Sequence, residues 1–303
     1  MKAASTAAPD APPPTGGEPS AGRPRLRWWR ELLIAVAFYP LYSLVRSLFG
    51  SGGVGDLDIA FNHAKAVIHV ERSVGLFFEP PLQRWYLGLP HDGWVRVWNI
   101  FYGTAHFAVT IGVLIFAFRR TPERYPFART AFAVMTMLAL IGFATFSLMP
   151  PRLLDDNSRF GACHGRPVGC HGYGLHDTIA EHGGLWEFSS GAGSTVSNQY
   201  AAMPSMHFGW SSWCALTLAA GLRRRRWKVA VFLYPAVTLF CILVTANHYW
   251  LDALGGGLAL GAGLLVSAAV ERAKEARRRR RGGAGDLDHP VPRADAPLSA
   301  ADR

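Results

Sequence analysis

Blocks of nearly uninterrupted apolar residues recur along this chain, each roughly 18 to 25 residues long, the length a helix needs to cross the hydrocarbon core of a bilayer. Most lack the polar face that a helix on the surface of a soluble domain shows every three to four residues. Half of the residues are hydrophobic and only 17% are charged, and the charges fall between the blocks and at the two ends. The pattern predicts an all-α membrane protein. Six spans are expected: 31–49, 94–118, 128–149, 205–222, 229–246 and 249–270.

The formal net charge of +10 invites a nucleic-acid reading. Its distribution argues otherwise. Arginines cluster in 23–30, 119–129, 223–226 and 277–281, each at the end of an apolar block. Basic residues in short connections hold those connections in the cytoplasm. With the N-terminus inside, the links between spans two and three and between spans four and five are also inside, and so is the C-terminal run. All four clusters agree with six spans, whereas an odd number would separate them. The expected partners are therefore the bilayer and a lipid rather than a nucleic acid, and the expected location is the cell membrane with both termini cytoplasmic.

Residues 1–22 are rich in Ala, Pro, Gly and Ser and carry almost no large apolar side chains, so disorder is expected there, as it is in the basic tail 276–303. The membrane domain occupies 23–275. Two long connections, 50–93 and 150–204, fall outside the cell. The first contains two amphipathic stretches, "LDIAFNHAKAVIHVERSVG" and "PPLQRWYLGL", which suit helices lying along the membrane interface. The second is rich in Gly, His and Ser with no clear element, and a loop of that length is usually functional.

Three polar segments fall at the outer ends of spans on this topology: "LMPPRLLDD" (148–156), "YAAMPSMHFGWSSW" (200–213) and "TANHYWLDALGGG" (245–257). Their chemistry suits phosphoryl transfer. His248 and Asp252 are four apart, so they share a helix face. A carboxylate on one imidazole nitrogen fixes the tautomer and leaves the other nitrogen free to attack phosphorus. His207 can protonate the leaving oxygen. Pro204 suits a helix's first turn, whose open N–H groups, together with Ser205, offer an anion contact. Arg152 supplies a planar cationic fork for the remaining phosphate oxygens. On the second span Asn99, Tyr102 and His106 are spaced by three and four. That stripe fits a substrate contact at Tyr102 and His106 as well as it fits a packing network.

"PSMH" and "HYWLD" resemble the second and third signatures of the type 2 phosphatidic-acid phosphatase superfamily, Pro-Ser-Gly-His and His-x-x-x-Asp. The likeness spans roughly residues 60–270 and is closest to the branch containing inositol-phosphorylceramide synthases, which has counterparts of "PPR", "NQYAAMPSMHFGWS" and "NIFYGTAHF". The resemblance implies a six-helix fold of that type and a phosphohistidine on His248. It also implies Asp252 as orienting partner, His207 as general acid and Arg152 as the arginine of the first signature, with no metal or cofactor. The family's lysine before that arginine is replaced by Thr145, the proline after it by Leu153, and the Ser-Arg pair of the third signature by Cys241 and Ile242. Arg159 and Arg166 are candidates to replace the missing cations. The function expected is a lipid phosphatase or phosphotransferase. The competing classes are a transporter or channel with a histidine proton relay, disfavoured because the polar residues gather at one face rather than at mid-membrane, and a structural scaffold.

The loop "CHGRPVGCHGYGLHDTIAEH" repeats Cys-His but lacks a paired C-x-x-C, so a Cys163–Cys170 disulfide is expected ahead of a metal site. Cys214 and Cys241 read as small hydrophobes within spans.

Overall fold

The computed structural model describes residues 26–31, 33–34, 36, 40, 54–90, 93–165, 172–184 and 199–285. Within them the chain is helical, in the order α1 (Val54–Ser73), α2 (Glu79–Leu87), α3 (Gly93–Arg120), α4 (Tyr125–Thr145), α5 (Thr178–His182), α6 (Met206–Gly221), α7 (Arg225–Ala230), α8 (Leu233–Val244) and α9 (Trp250–Gly285), with a single 3-10 turn at Pro151–Leu153. Leu148 and Ala201 form an isolated bridge, with the Leu148 N–H on the Tyr200 carbonyl at 2.7 Å.

Four helical stretches among the described residues are long and apolar enough to cross a bilayer: Trp94–Arg120, Tyr125–Thr145, Arg225–Val244 and Trp250–Arg280. This is a membrane protein. The expected span at 205–222 forms the 16-residue α6, about 24 Å long against a hydrocarbon core of about 30 Å. The expected first span, 31–49, falls almost wholly outside the described residues. Helix α9 continues through the arginine run to Gly285, into the stretch for which composition predicts a disordered tail. Ala, Glu, Lys and Arg are strong helix formers, and Glu271 pairs with Lys274 one turn on, at 2.7 Å.

Small residues decide how closely the long helices pack. A Cβ on Gly263 would collide with the Ala131 carbonyl, and one on Gly256 with that of Ser205, so α9 lies against α4 and against the start of α6 at backbone distance. Trp213 fills the space between α6 and α4, its indole N–H on the Ala128 carbonyl at 2.8 Å. Arg124, in the α3–α4 link, donates to the Ala220 carbonyl at the end of α6 at 2.6 Å. That contact places the basic links at one end of the bundle, opposite the starts of α6 and α9.

The two amphipathic stretches do become helices. In α1, Leu57, Ala60, Phe61, Ala64, Val67 and Ile68 recur every three to four residues and are buried against Leu148, Met149, Leu153, Leu154 and Tyr249. The apolar face of α1 thus meets the segments that follow α4 and precede α9. In α2, two prolines occupy the first turn, where missing N–H groups cost nothing.

Candidate functional site

The segments 148–156, 200–207 and 245–252 converge. Helix α8 ends at Val244, and Ala246 takes a left-handed conformation (φ 51°) that reverses the chain into α9. His248 sits in this reversal. Its Nδ1 lies 3.2 Å from Asp252 Oδ2, and its Nε2 lies 3.3 Å from Nδ1 of His207. Asp252, in the first turn of α9, also accepts the Tyr249 N–H at 3.0 Å. Its carboxylate therefore caps the helix that carries it and holds the imidazole at once. A proton on Nδ1 directed at Asp252 leaves the Nε2 lone pair facing His207.

His207 reaches this position through the start of α6. Pro204 lies before the helix rather than in its first turn, because Ser205 is the N-cap, its Oγ accepting from the Phe208 N–H at 3.4 Å. Ser205 is fully buried and its own N–H donates to the Asp252 carbonyl at 2.8 Å. It is a joint between α6 and α9. The joint sets His207 against His248, at the 3.3 Å between their rings' nitrogens.

Of the stripe on α3, Tyr102 stacks on His207 with ring centres 4.2 Å apart, and His106 meets the same ring edge-on at 4.3 Å. Together with Thr238 and Cys241 they line a narrow cleft beside His207. The His106 Nδ1 is engaged with the Tyr102 carbonyl at 3.0 Å. Asn99 points elsewhere. Its amide donates to the Thr178 and Gly183 carbonyls at 2.7 and 2.9 Å and fastens α5 to α3.

Arg152 is buried, not a loose surface cation. Its Nη1 donates to Asp177 at 2.7 Å and its Nη2 to Gln199 at 2.6 Å, while Nε is buried without a partner. Its backbone N–H donates to the Ala246 carbonyl at 2.7 Å, two residues before His248. Asp177 also caps α5 by accepting from the Ile179 and Ala180 N–H groups. Motif spacing does not single out Asp177, although an Asp immediately before a short Thr-Ile-Ala-Glu-His run has the form of an N-cap. Gln199 lies in a segment whose most conspicuous feature is its histidine. Arg159 is exposed with its guanidinium 5.6 Å over the Phe160 ring, and Arg166 lies outside the described residues.

Two further carboxylates adjoin the site. Glu79 Oε1 accepts from the Trp250 N–H at 3.0 Å, and Glu71 Oε1 from the Leu251 N–H at 3.4 Å. Both side chains are fully buried, each with its second oxygen unpartnered, as is Oδ1 of Asp252. Burial pushes the Glu71 carboxyl up to about 9, and Glu79 adds to the effect; burial raises Glu79 likewise. A sequence signal existed for Glu71, which continues the buried stripe of α1 four residues after Val67.

Cys163 is disulfide-bonded, while Cys214 and Cys241 are buried free thiols; Cys170 lies outside the described residues. The Cys241 thiol donates to the Trp98 carbonyl at 3.3 Å, tying α8 to α3.

A sequence model of the PAP2 superfamily matches residues 65–266, two thirds of the chain and all of the site just described. The chain belongs to the PAP2 superfamily. Membership implies phosphatase-type chemistry on phosphoric esters. No curated protein and no solved structure matches at a significant level.

Proposed function

We propose that this PAP2 protein is an integral-membrane phosphatase or phosphotransferase that acts on a lipid phosphate ester at the extracytoplasmic face, through a phosphohistidine on His248. One observation carries the reading: His248 is held by Asp252 at Nδ1 and faces His207 with Nε2. In the first step the Nε2 lone pair forms a bond to phosphorus while the bond from phosphorus to the ester oxygen breaks. The leaving oxygen takes a proton from His207. Phosphorus must come between the two rings, so substrate displaces His207 from its 3.3 Å contact. In the second step water or an alcohol attacks phosphorus, His207 takes the proton back, and His248 is released. Water makes the enzyme a phosphatase; an alcohol makes it a phosphotransferase of the inositol-phosphorylceramide-synthase type.

Arg152 and the open N–H groups at the start of α6 answer the charge on the non-bridging oxygens. Tyr102 and His106 hold the His207 ring by stacking and border the substrate's path. Ser205 takes part through the joint it forms. The outward placement follows from the positive-inside rule, since the basic links lie at the bundle end opposite His207 and His248.

The deciding assay supplies phosphate-labelled lipids to detergent-purified protein and follows label into free phosphate, into an alcohol acceptor and onto the chain, with His248→Ala alongside. Label released as phosphate and lost in the variant identifies a phosphatase. Label transferred with its head group identifies a phosphotransferase. Turnover that persists in His248→Ala overturns the phosphohistidine.

A further inference from the structure

The first turn of α9 carries His248 at its threshold, and its three leading backbone N–H groups are taken by three carboxylates from three helices. Asp252 accepts from Tyr249, Glu79 of α2 from Trp250, and Glu71 of α1 from Leu251. A helix start favours negative charge, but only about half a unit of it. Three ionised carboxylates sealed from water against that partial charge would repel one another at a cost the helix end does not offset. Asp252 is the one that touches the imidazole. Among the described residues the two glutamates have no such cationic partner, and each keeps a buried oxygen without a hydrogen bond.

We infer that Glu71 and Glu79 form a protonated clasp through which α1 and α2 hold the first turn of α9, and that they are positioning residues for His248 and Asp252. The role assigned to His248 rests on the function proposed above. Neutral glutamates still accept the Trp250 and Leu251 N–H groups and leave Asp252 to hold His248 Nδ1. The raised position of both carboxyls accords with this, Glu71 lying near 9. The titratable groups acting on Glu71 are Glu79 and Asp252, and the buried Tyr249 phenol feels all three carboxylates together with Tyr173. Arg72, next in sequence, is turned away, with its guanidinium 5.0 Å over the Phe77 ring. The clasp also explains the fate of the stretch 54–87: its helices are bonded to the catalytic helix as well as packed beneath it.

The sign of the pH effect follows from linkage. A folded-state carboxyl near 9, against an ordinary 4.5, keeps a proton that the unfolded chain has released, so stability is full below about 4.5 and is lost as pH rises towards about 9. Glu71→Gln keeps the acceptor oxygen and places an N–H where the proton sat, but cannot titrate.

The test uses the full chain in detergent, as wild type, Glu71→Gln, Glu71→Ala, Glu79→Gln and Glu79→Ala, with kcat, KM and thermal unfolding measured from pH 5 to 9. The glutamine variants are expected to turn over close to the wild-type rate. The alanine variants are expected to lose about tenfold to a hundredfold in kcat with KM little changed, the signature of a misplaced nucleophile. Wild type is expected to lose thermal stability as pH rises, and Glu71→Gln to lose much less. Alanine variants with wild-type kcat overturn the positioning role. Identical pH–stability curves for wild type and Glu71→Gln overturn the protonated clasp. That second readout needs no turnover, so a wild-type chain without His248-dependent activity defeats the proposed function and still leaves the clasp decided by unfolding.

Discussion

In the proposed mechanism His248 serves as nucleophile only while one nitrogen is held and the other is free, and its two contacts divide in that way. Asp252 at 3.2 Å holds Nδ1, so the approach to phosphorus falls to Nε2, beside His207. The two histidines should therefore fail differently. His207→Ala is expected to lower turnover of a lipid phosphate by about 10²- to 10⁴-fold, yet to recover most of the rate on an aryl phosphate whose leaving group needs no proton. His248→Ala should lose both. Equal loss on both substrates by His207→Ala would remove it from the role of acid. Arg152 depends on its partners in a similar way. Asp177→Asn keeps an oxygen near Nη1 but removes the charge that fixes the buried guanidinium, and a charge-assisted hydrogen bond contributes about 1.5–3 kcal/mol. A fall in kcat/KM of about tenfold to a hundredfold is expected, with the fold unchanged by circular dichroism. An unaffected kcat/KM would show that Arg152 does not need Asp177.

At the scale of elements, the site is a meeting of helix starts, and glycine sets how near they come. Gly256 faces the Ser205 carbonyl so closely that any Cβ must push α6 away from α9. The joint it guards includes the Ser205 N–H on the Asp252 carbonyl at 2.8 Å. Gly256→Ala is therefore expected to cost about 1–3 kcal/mol, as overpacking does, and to separate His207 from His248. Thermal unfolding and the rate on a lipid phosphate should both fall. Gly257→Ala, whose Cβ would meet only the Phe208 ring at an ordinary 3.7 Å, should leave both nearly unchanged. Similar losses in the two variants would place the cause outside the joint, since Ala raises helix propensity at both positions.

The whole molecule places the histidine site at one end of the bundle and the basic links at the other. In the proposed orientation Asn157 faces outside and Pro122, in the α3–α4 link, faces the cytoplasm. In intact cells, a membrane-impermeant thiol reagent should label Asn157→Cys and spare Pro122→Cys until the membrane is opened. The reverse pattern would place the site inside. The thiols of Cys214 and Cys241 are buried and Cys163 is disulfide-bonded; the unsubstituted chain, labelled alongside, sets the background.

Much of this was legible in the chain before folding. Block length and hydropathy marked the long helices because lipid offers a helix no hydrogen bonds and demands apolar residues all round. Spacing marked His248 and Asp252 as a pair, although His248 lies in the reversal before α9 rather than on its face, and Asp252 reaches back to it as it does to the Tyr249 N–H. His207 shared a helix start with Ser205 and was found there. Tertiary structure decided the rest. Glu79 meets Trp250 across 171 residues and Glu71 meets Leu251 across 180, so neither pairing leaves a trace in local spacing. Arg152 finds Asp177 and Gln199 the same way, through a loop with no periodicity to read. A helix start declares locally that its N–H groups need acceptors. Which distant side chains supply them depends on what packing brings alongside once water is excluded, and burial then determines whether those carboxyls carry charge.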